Sequence, residues 1–163
     1  MSIRIRRAAA AVAVSAASLV GTVALATPAW AADTVQVNSF GNLILGGGAE
    51  ANSIRFFPGP NGTVRVTDFA STVVAGTNCV QESANTVRCS GAKHINANGR
   101  DGDDVLNNDT GLTSVLGGGR GNDVLDGGSN ADQLDGSAGF DSAFGQGGVD
   151  SCRAEQETGC ETD

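Results

Sequence analysis

Five aspartates recur at one fixed position of nine-residue segments in the C-terminal half of this chain. The segment GGRGNDVLD (118–126) is followed without a gap by GGSNADQLD (127–135), GSAGFDSAF (136–144) and GQGGVDSCR (145–153). An earlier segment, GRDGDDVLN, covers residues 99–107. The sixth positions are occupied by Asp104, Asp123, Asp132, Asp141 and Asp150. Carboxylates at such regular spacing are oxygen ligands of the kind that hard cations prefer.

The elements that must position these aspartates are short glycine-rich turns and very short strands. Glycine permits the φ > 0 conformations and the close backbone approach that a tight turn needs. The eighth position is apolar or small, and it is predicted to face inward from a strand of about three residues, which is stable only when copies stack. Inward-facing residues are Leu106, Leu116, Leu125, Leu134, Ala143 and Cys152.

Two nonapeptides make one coil, so turns on one side of the stack recur every eighteen residues. Asp123 should therefore face Asp141, and Asp132 should face Asp150. Asp104 should face Asp123 at a spacing of nineteen, if Asn108 is an inserted residue. Stacked carboxylates repel one another unless a cation lies between them. Calcium tolerates an irregular set of carboxylates and turn carbonyls better than magnesium does.

These segments resemble the calcium-binding nonapeptide repeats of the RTX (hemolysin-type) family, whose pattern GGxGxD is complete at residues 118–123. The resemblance implies an all-β fold, a right-handed parallel β-roll with calcium ions between successive turns. It carries the ligand role onto Asp104, Asp123, Asp132, Asp141 and Asp150. Ser114 opposite Asp132 would make a weak site, and Asp101 and Asp103 could assist Asp104. The alternative is a roll that no longer binds metal, because Asn and Asp are good turn residues without a ligand.

The N-terminal half of the mature chain is predicted to form short strands and hairpins. Strands are expected at 34–37, 43–45, 53–57, 63–67 and 72–75, with the clearest turn at PGPNG (58–62). The segment GGAEANSIR (47–55) is either a degenerate nonapeptide with Asn52 at its sixth position or an ordinary glycine turn. A further small hairpin would place Cys79 and Cys89 on its two arms.

Residues 1–31 have the features of a secretory signal peptide. Arg4, Arg6 and Arg7 precede an alanine- and valine-rich apolar run, and Ala29-Trp30-Ala31 forms an A-x-A cleavage site. The apolar run is too weak for a transmembrane anchor, and its context favours the general secretory route over twin-arginine export. We therefore expect a secreted, extracellular protein with cleavage near Ala31.

The charge of the mature chain excludes several classes of partner. The sequence has 10 basic residues, three of them before residue 32, and 18 acidic ones, all after it, which gives −11. Nucleic acid and anionic membranes are poor partners for such a surface. We expect a monomer without membrane insertion. Glu155, Glu157 and Glu161, near the C-terminus, are expected on a solvated face.

Four cysteines remain after processing: Cys79, Cys89, Cys152 and Cys160. An even number in a secreted chain indicates disulfides, for which three connectivities are open. Proximity in sequence favours Cys79–Cys89 and Cys152–Cys160. A Cys₄ zinc site is disfavoured because the pairs are spaced more widely than C-x₂₋₄-C.

No set of residues predicts an enzyme. His94 is the single histidine, and the G-x-S-x-G and H-E-x-x-H motifs are missing from the sequence. Catalytic domains that accompany such repeats in the family would need more than the roughly sixty residues that precede them here. We therefore predict that this protein is not an enzyme.

The sequence predicts one elongated domain in four parts: a signal peptide (1–31), a β-rich N-terminal part (32–98), calcium-binding repeats (99–153) and a disulfide-closed cap (154–163). The predicted function is secreted calcium binding. The alternative is a non-catalytic structural or adhesive protein of the cell surface or matrix that uses the roll as a scaffold. An exposed apolar patch near Phe56, Phe57 and Phe69 would favour that alternative and would mark an unidentified surface partner.

Overall fold

A computed structural model describes residues 33–161, so the predicted signal peptide lies outside the described residues. The described chain is all-β. Its strands are β1 Asp33–Val37, β2 Asn42–Gly46, β3 Ser53–Pro58, β4 Val64–Asp68, β5 Val73–Ala75, β6 Cys79–Ser83, β7 Thr86–Cys89, β8 His94–Asp101, β9 Val105–Asn108, β10 Thr113–Arg120, β11 Val124–Asp126, β12 Gln133–Ala138, β13 Ser142–Phe144, β14 Ser151–Arg153 and β15 Gln156–Thr158. A short 3₁₀ turn, Pro60–Gly62, separates β3 from β4.

The strands form two sheets between which the chain alternates. Sheet A has the order β14-β12-β10-β8-β2-β1-β5, and sheet B has the order β15-β13-β11-β9-β3-β4-β7-β6. From β8 to β15 each strand is parallel to the strand one coil away in its own sheet. This arrangement confirms the predicted all-β parallel roll.

One continuous row of apolar side chains fills the space between the sheets. Burial alternates along the strands, as in β8 and β10, so every second residue faces the core. The predicted inward residues of the repeats, Leu106, Leu116, Leu125, Leu134, Ala143 and Cys152, are all buried. Each buried leucine contributes about 1.5–3 kcal/mol relative to an exposed one, and the short strands depend on this shared core.

Antiparallel strands close the N-terminal end of the roll. β1 pairs with β2, and β4 pairs with both β3 and β7, which widens the two sheets beyond the parallel coils. The hairpin predicted at residues 58–62 is confirmed as the connection between β3 and β4. Phe56 is buried in this part of the core, Phe57 is half-buried, and Phe69 is 64 % exposed. These three phenylalanines therefore do not form the patch that would favour an adhesive function.

The nonapeptide-like segment 47–55 is a true level of the stack. β2 and β3 pair in parallel with β8 and β9, so the turn between β2 and β3 lies over the turn between β8 and β9. The backbone amide of Asn52 donates to the Asp104 carboxylate at 2.6 Å. The degenerate-repeat interpretation is therefore the correct one.

The interpretation of Asn108 as an inserted residue is wrong. Asn108 is buried in β9, and its side-chain amide donates to the Gly127 carbonyl nineteen residues later. The Asn130 amide also pairs with Gly111 at an offset of 19, whereas Ser114 pairs with Asp132 at an offset of 18. The extra residue therefore lies between Gly111 and Ser114, where a turn accommodates it without breaking a strand.

Two disulfides join the cysteine pairs that sequence proximity favours. Cys79–Cys89 links the neighbouring arms β6 and β7, and Cys152–Cys160 closes the C-terminal segment. Strand pairing continues to Thr158, because β15 adds to β13 beyond residue 153. The last coil is thereby held both by strand pairing and by a covalent link.

Candidate metal centre

The predicted ligands lie in two columns of turns. Column one contains Asp104, Asp123 and Asp141, which lie on turns from sheet A to sheet B. Column two contains Asp132 and Asp150, on turns from sheet B to sheet A, with Ser114 at the level above. All five aspartates are buried, with side chains at most 2 % exposed. Burial of so many carboxyl groups is unusual unless each is paired or coordinates a metal.

One oxygen of each carboxylate joins the levels of a column. In column one, the amide of Asp104 donates to Asp123 Oδ1 at 2.8 Å, and the amide of Asp123 donates to Asp141 Oδ1 at 2.9 Å. In column two, the amide of Asp132 donates to Asp150 Oδ1 at 2.9 Å. The pairs of facing aspartates expected from the sequence are therefore adjacent, and the contacts run from backbone amide to carboxylate.

The C-terminal segment completes both columns with glutamates. Glu155 Oε2 accepts the amide of Asp141 at 2.8 Å, and Glu161 Oε2 accepts the amide of Asp150 at 2.7 Å. Glu155 and Glu161 are exposed, as expected, yet each also accepts a backbone amide from the last turns. They lie 14 and 11 residues after their partners, not 18. The nonapeptide pattern therefore does not identify these two glutamates. Their longer side chains reach the amides of Asp141 and Asp150 despite the shorter spacing in sequence.

The second oxygen of the carboxylates has no hydrogen-bond donor at three of these positions. Asp104 Oδ2, Asp123 Oδ2 and Asp132 Oδ2 are buried and lack a hydrogen-bond partner within the described residues. A buried acceptor without a partner costs about 1–3 kcal/mol, and more when it is charged. These oxygens therefore require compensation by a positive charge.

The first glycine of each repeat makes room beside this second oxygen. A side chain at Gly99, Gly118, Gly127, Gly136 or Gly145 would place its Cβ within 3.0 Å of the Oδ2 atom of the aspartate in the same repeat. At Gly99 the same Cβ would also lie 2.9 Å from the Gly118 carbonyl of the next level. Carboxylate and carbonyl oxygens thus converge on a space that no side chain occupies.

Further carbonyls point between the levels from the second and fourth positions. A Cβ on Gly119 would collide with the Arg100 carbonyl, and one on Gly121 would collide with the Gly102 carbonyl. Both glycines also have φ values above +100°, which few other residues adopt. The oxygen-rich space between turns explains why this part of the pattern is glycine.

Two levels of the stack do not fit a cation. The side-chain amide of Asn108 donates to the Gly127 carbonyl at 2.7 Å and to the Leu112 carbonyl at 2.9 Å. The Asn52 amide lies 3.5 Å from the Gly99 carbonyl. An N–H group thus occupies the place beside a first-position carbonyl, and Ser114 supplies no carboxylate at the Asn108 level. The sixth-position residues of these two levels, Asn52 and Ser114, carry no charge.

Burial perturbs the acidity of the column aspartates. Desolvation raises the pKa of Asp104 to about 6 and that of Asp132 to about 6, and neighbouring aspartates add to both effects. The pKa of Asp123 is raised for the same first cause. The metal-free stack thus resists full ionisation of its carboxylates, which a bound cation would relieve.

The outer aspartates do not enter the columns. Asp103 Oδ1 accepts the amide of Asn122 on the exposed side of the turn, and Asp101 lies 3.8 Å from Arg120. That these two residues assist Asp104 in holding a cation stays a prediction. Asp126 and Asp135, at the ninth positions of their repeats, are half-buried, and Asp126 accepts a hydrogen bond from Gln146.

The donor set suits calcium. Among residues 33–161 no three His, Cys, Asp or Glu side chains form a common metal cluster, so each level offers one or two carboxylates together with backbone carbonyls. Calcium accepts six to eight oxygen ligands in flexible geometry, whereas zinc prefers nitrogen and sulfur. Both cysteine pairs are oxidised, so no thiolate remains for zinc in the described chain.

Comparison with protein families agrees with this geometry. A family model described as "RTX calcium-binding nonapeptide repeat (4 copies)" matches residues 115–143 and 126–155. Residues 115–155 are RTX calcium-binding nonapeptide repeats. RTX repeats bind Ca²⁺ and are generally not catalytic. Searches of curated proteins and of solved structures returned no match.

Two general properties accompany the RTX repeats. The disulfides indicate an oxidising compartment, and proteins with RTX repeats are typically extracellular. Within residues 33–161 there is no helix with the length and apolar character that crossing a bilayer requires.

Proposed function

We propose that this chain is a secreted calcium-binding protein in which calcium ions between stacked turns stabilise the fold outside the cell. One observation carries the proposal. Asp123 Oδ2 is buried without a hydrogen-bond partner, directly beside Gly118, in the repeat with the complete GGxGxD pattern. A divalent cation beside this oxygen would supply the missing charge without displacing any side chain.

The proposed ligands are the carboxylates of the five column aspartates, Asp104, Asp123, Asp132, Asp141 and Asp150. Turn carbonyls, such as those of Gly118 and Gly102, would complete each site. The Asn52 and Asn108 levels are not proposed as sites, because amide groups already satisfy their carbonyls. With one site for each of the five column aspartates, the repeats would bind at most five calcium ions per chain.

Secretion completes the proposal. The basic and apolar leader with its A-x-A site, the acidic mature chain and the two disulfides support export through a signal peptide cleaved near Ala31. The proposed organisation is a signal peptide (1–31), a β-rich part (32–98), repeats (99–153) and a C-terminal cap (154–163). The protein acts by binding calcium and not by catalysis.

Calcium dependence of folding follows from the buried carboxylates. Calcium at a hundred times its dissociation constant adds about 2.7 kcal/mol per independent site to the free energy of unfolding. Extracellular calcium modules commonly bind at about 10⁻⁴–10⁻³ M, so the repeats would order after export. Without calcium, the C-terminal half should be loosely packed.

Isothermal titration calorimetry on residues 32–163 after EDTA treatment tests the proposal. The expected result is binding of several calcium ions per chain, with fewer ions bound by the Asp123→Asn variant. Asp101→Asn is the matched control, because it removes the same charge from an exposed position. Calcium binding that is undetectable at several millimolar, or an Asp123→Asn variant that binds as the wild type does, would refute the proposal.

A further inference from the structure

Two buried carboxyl groups lie outside the repeats, at the N-terminal end of column one. Asp33 begins β1 in sheet A, Asp68 ends β4 in sheet B, and their side chains are 1 % and 0 % exposed. β1 neighbours β2 and β4 neighbours β3. The two carboxyl groups therefore flank the turn at 47–52 on the side opposite Asp104.

The hydrogen bonds of this pair resemble those within the columns. Asp68 Oδ1 accepts the amides of Ser53 at 3.1 Å and Ala70 at 2.8 Å. The amide of Gly48 lies near the Asp33 carboxyl group and partly offsets the rise in its pKa. The remaining oxygens, Asp33 Oδ2 and Asp68 Oδ2, are buried and have no hydrogen-bond partner among residues 33–161.

The two carboxyl groups are close neighbours. A hydrogen bond between them needs a proton on one of the two, because two carboxylates offer only acceptors. Burial, followed by the neighbouring Asp68, raises the pKa of Asp33 to about 7. The pair thus has two ways to remove its repulsion: a shared proton or a bound cation.

No positive side chain in the described chain compensates this pair. Five arginines of the described chain form ion pairs, and each pairs with an acid other than Asp33 or Asp68: Arg55, Arg65, Arg88, Arg120 and Arg153. Two adjacent buried charges without compensation cost several kcal/mol. Unpartnered oxygens on two side chains that are almost completely buried therefore indicate a cation ligand set.

We propose that Asp33 and Asp68 form a separate site for a hard divalent cation such as calcium, which links the first strand to the roll. The site has two carboxylates from two sheets, and backbone carbonyls or water complete its coordination. It differs from the repeat sites, in which turns one coil apart supply the ligands. The inference stands apart from the function proposed for the repeats, because none of its ligands lies in a repeat.

Counting calcium ions per chain tests this site. Equilibrium dialysis of the mature chain at saturating calcium, with metal analysis, should show one ion fewer in Asp68→Asn and in Asp33→Asn than in the wild type. Asp101→Asn should retain the wild-type number. Asp123→Asn should also bind fewer calcium ions than the wild type. In that variant, the amide chemical shifts of Gly48, Ser53 and Ala70, measured by NMR, should still change as calcium is added.

A wild-type number of ions in a folded Asp68→Asn or Asp33→Asn variant would overturn the inference. If neither variant folds, the carboxyl ¹³C shifts of Asp33 and Asp68 in the calcium-saturated wild type decide. Two ionised carboxylates are expected, and a protonated carboxyl group in this pair would show that a proton holds the site. The repeats could bind no calcium while the amide resonances of Gly48, Ser53 and Ala70 still shift when calcium is added. That result would refute only the function proposed for the repeats.

Discussion

At the residue scale, the glycine at the first position of each repeat controls access to the carboxylate oxygen. We expect Gly118→Ala to weaken calcium binding and to lower the free energy of unfolding in calcium by about 1–3 kcal/mol. The added Cβ would lie within 3.0 Å of Asp123 Oδ2 and would take up space between the levels. Calorimetric titration and denaturant unfolding of the same samples measure both effects.

Gly111→Ala is the matched control for this change. A Cβ at Gly111 has no neighbour closer than 3.9 Å, and neither glycine has a positive φ that would add backbone strain. Equal losses of affinity in the two variants would mean that a general loss of chain flexibility, and not crowding of Asp123 Oδ2, explains the glycine. That outcome would contradict a role of Gly118 in giving a cation access to Asp123 Oδ2.

A second residue-scale prediction concerns the level without a carboxylate. Asn108→Asp should destabilise the calcium-free protein by roughly 3 kcal/mol, because a buried carboxylate would face the carbonyls of Leu112 and Gly127. In calcium, the same oxygens would form an additional ligand set. We expect one more calcium ion per chain and recovery of most of the lost stability.

Thermal unfolding in EDTA and in millimolar calcium measures this exchange. Asn96→Asp adds the same charge to an exposed position of β8 and serves as the control. It should change neither the number of ions bound nor the stability difference between the two conditions. An Asn108→Asp protein that calcium does not rescue would show that the Asn108 level cannot accommodate a cation.

At the element scale, the sequence predicted the roll well because its period is strict. Short strands, inward leucines and facing turns all follow from a spacing of eighteen. In the five repeats that contain a column aspartate, the second position has a positive φ even where glycine is replaced, at Arg100, Ser137 and Gln146. Stacking on neighbouring coils therefore maintains the backbone of copies whose sequence has decayed.

The errors of prediction occur where the period is interrupted. The extra residue was assigned to Asn108, but a turn between Gly111 and Ser114 absorbs it, because a buried strand tolerates insertion less well than a turn. Glu155 and Glu161 lie on the exposed surface as expected, but their contacts with the Asp141 and Asp150 amides do not follow from the sequence, because their spacing differs from eighteen. The Asp33–Asp68 pair is non-local, since strand pairing and not sequence pattern brings it together.

The C-terminal disulfide should support the last calcium sites. Replacing Cys152 and Cys160 together by alanine should reduce the free energy of unfolding by about 2–3 kcal/mol. It should also weaken calcium binding at the last levels, because Glu155 and Glu161 lie in or beside the loop that the disulfide closes and they anchor the amides of Asp141 and Asp150. Calcium titrations followed by amide chemical shifts would resolve these levels.

The Cys79–Cys89 disulfide offers a comparison within the same protein. It joins β6 and β7 at the opposite end of sheet B, away from both columns. Its replacement by two alanines should cost a similar amount of stability without changing calcium affinity at Asp141 or Asp150. If both double variants bind calcium like the wild type, the C-terminal segment is not part of the binding architecture.

At the scale of the whole molecule, the acidic charge and the stacked fold oppose each other. The repeats bring carboxylates into the low-dielectric interior. None of the ion pairs seen among residues 33–161 involves a column aspartate. The sequence could predict this conflict from the spacing of aspartates. It could not predict which oxygen bonds an amide and which lacks a partner, because that depends on the rotamer that packing selects.

The same conflict predicts a pH dependence that reverses with calcium. Asp104 and Asp132 have pKa values raised to about 6 from an ordinary value of 3.8. The calcium-free folded state therefore binds more protons than the unfolded state between about pH 4 and pH 6. Its stability should rise as pH falls from 8 to 5, by about 1.4 kcal/mol per carboxyl group, and this gain is lost as pH rises through 6. Thermal unfolding in EDTA at both pH values measures the change.

In saturating calcium the slope should have the opposite sign, because protons compete with calcium for the same oxygens. Asp104→Asn removes one titrating group and should flatten the slope in EDTA, whereas Asp101→Asn should leave it unchanged. Stability in EDTA that falls between pH 8 and pH 5 would contradict the prediction, since it would mean that the buried carboxylates are stabilised as anions without metal. If stability depends on pH with opposite signs with and without calcium, the column carboxyl groups are fully ionised only when a cation is bound.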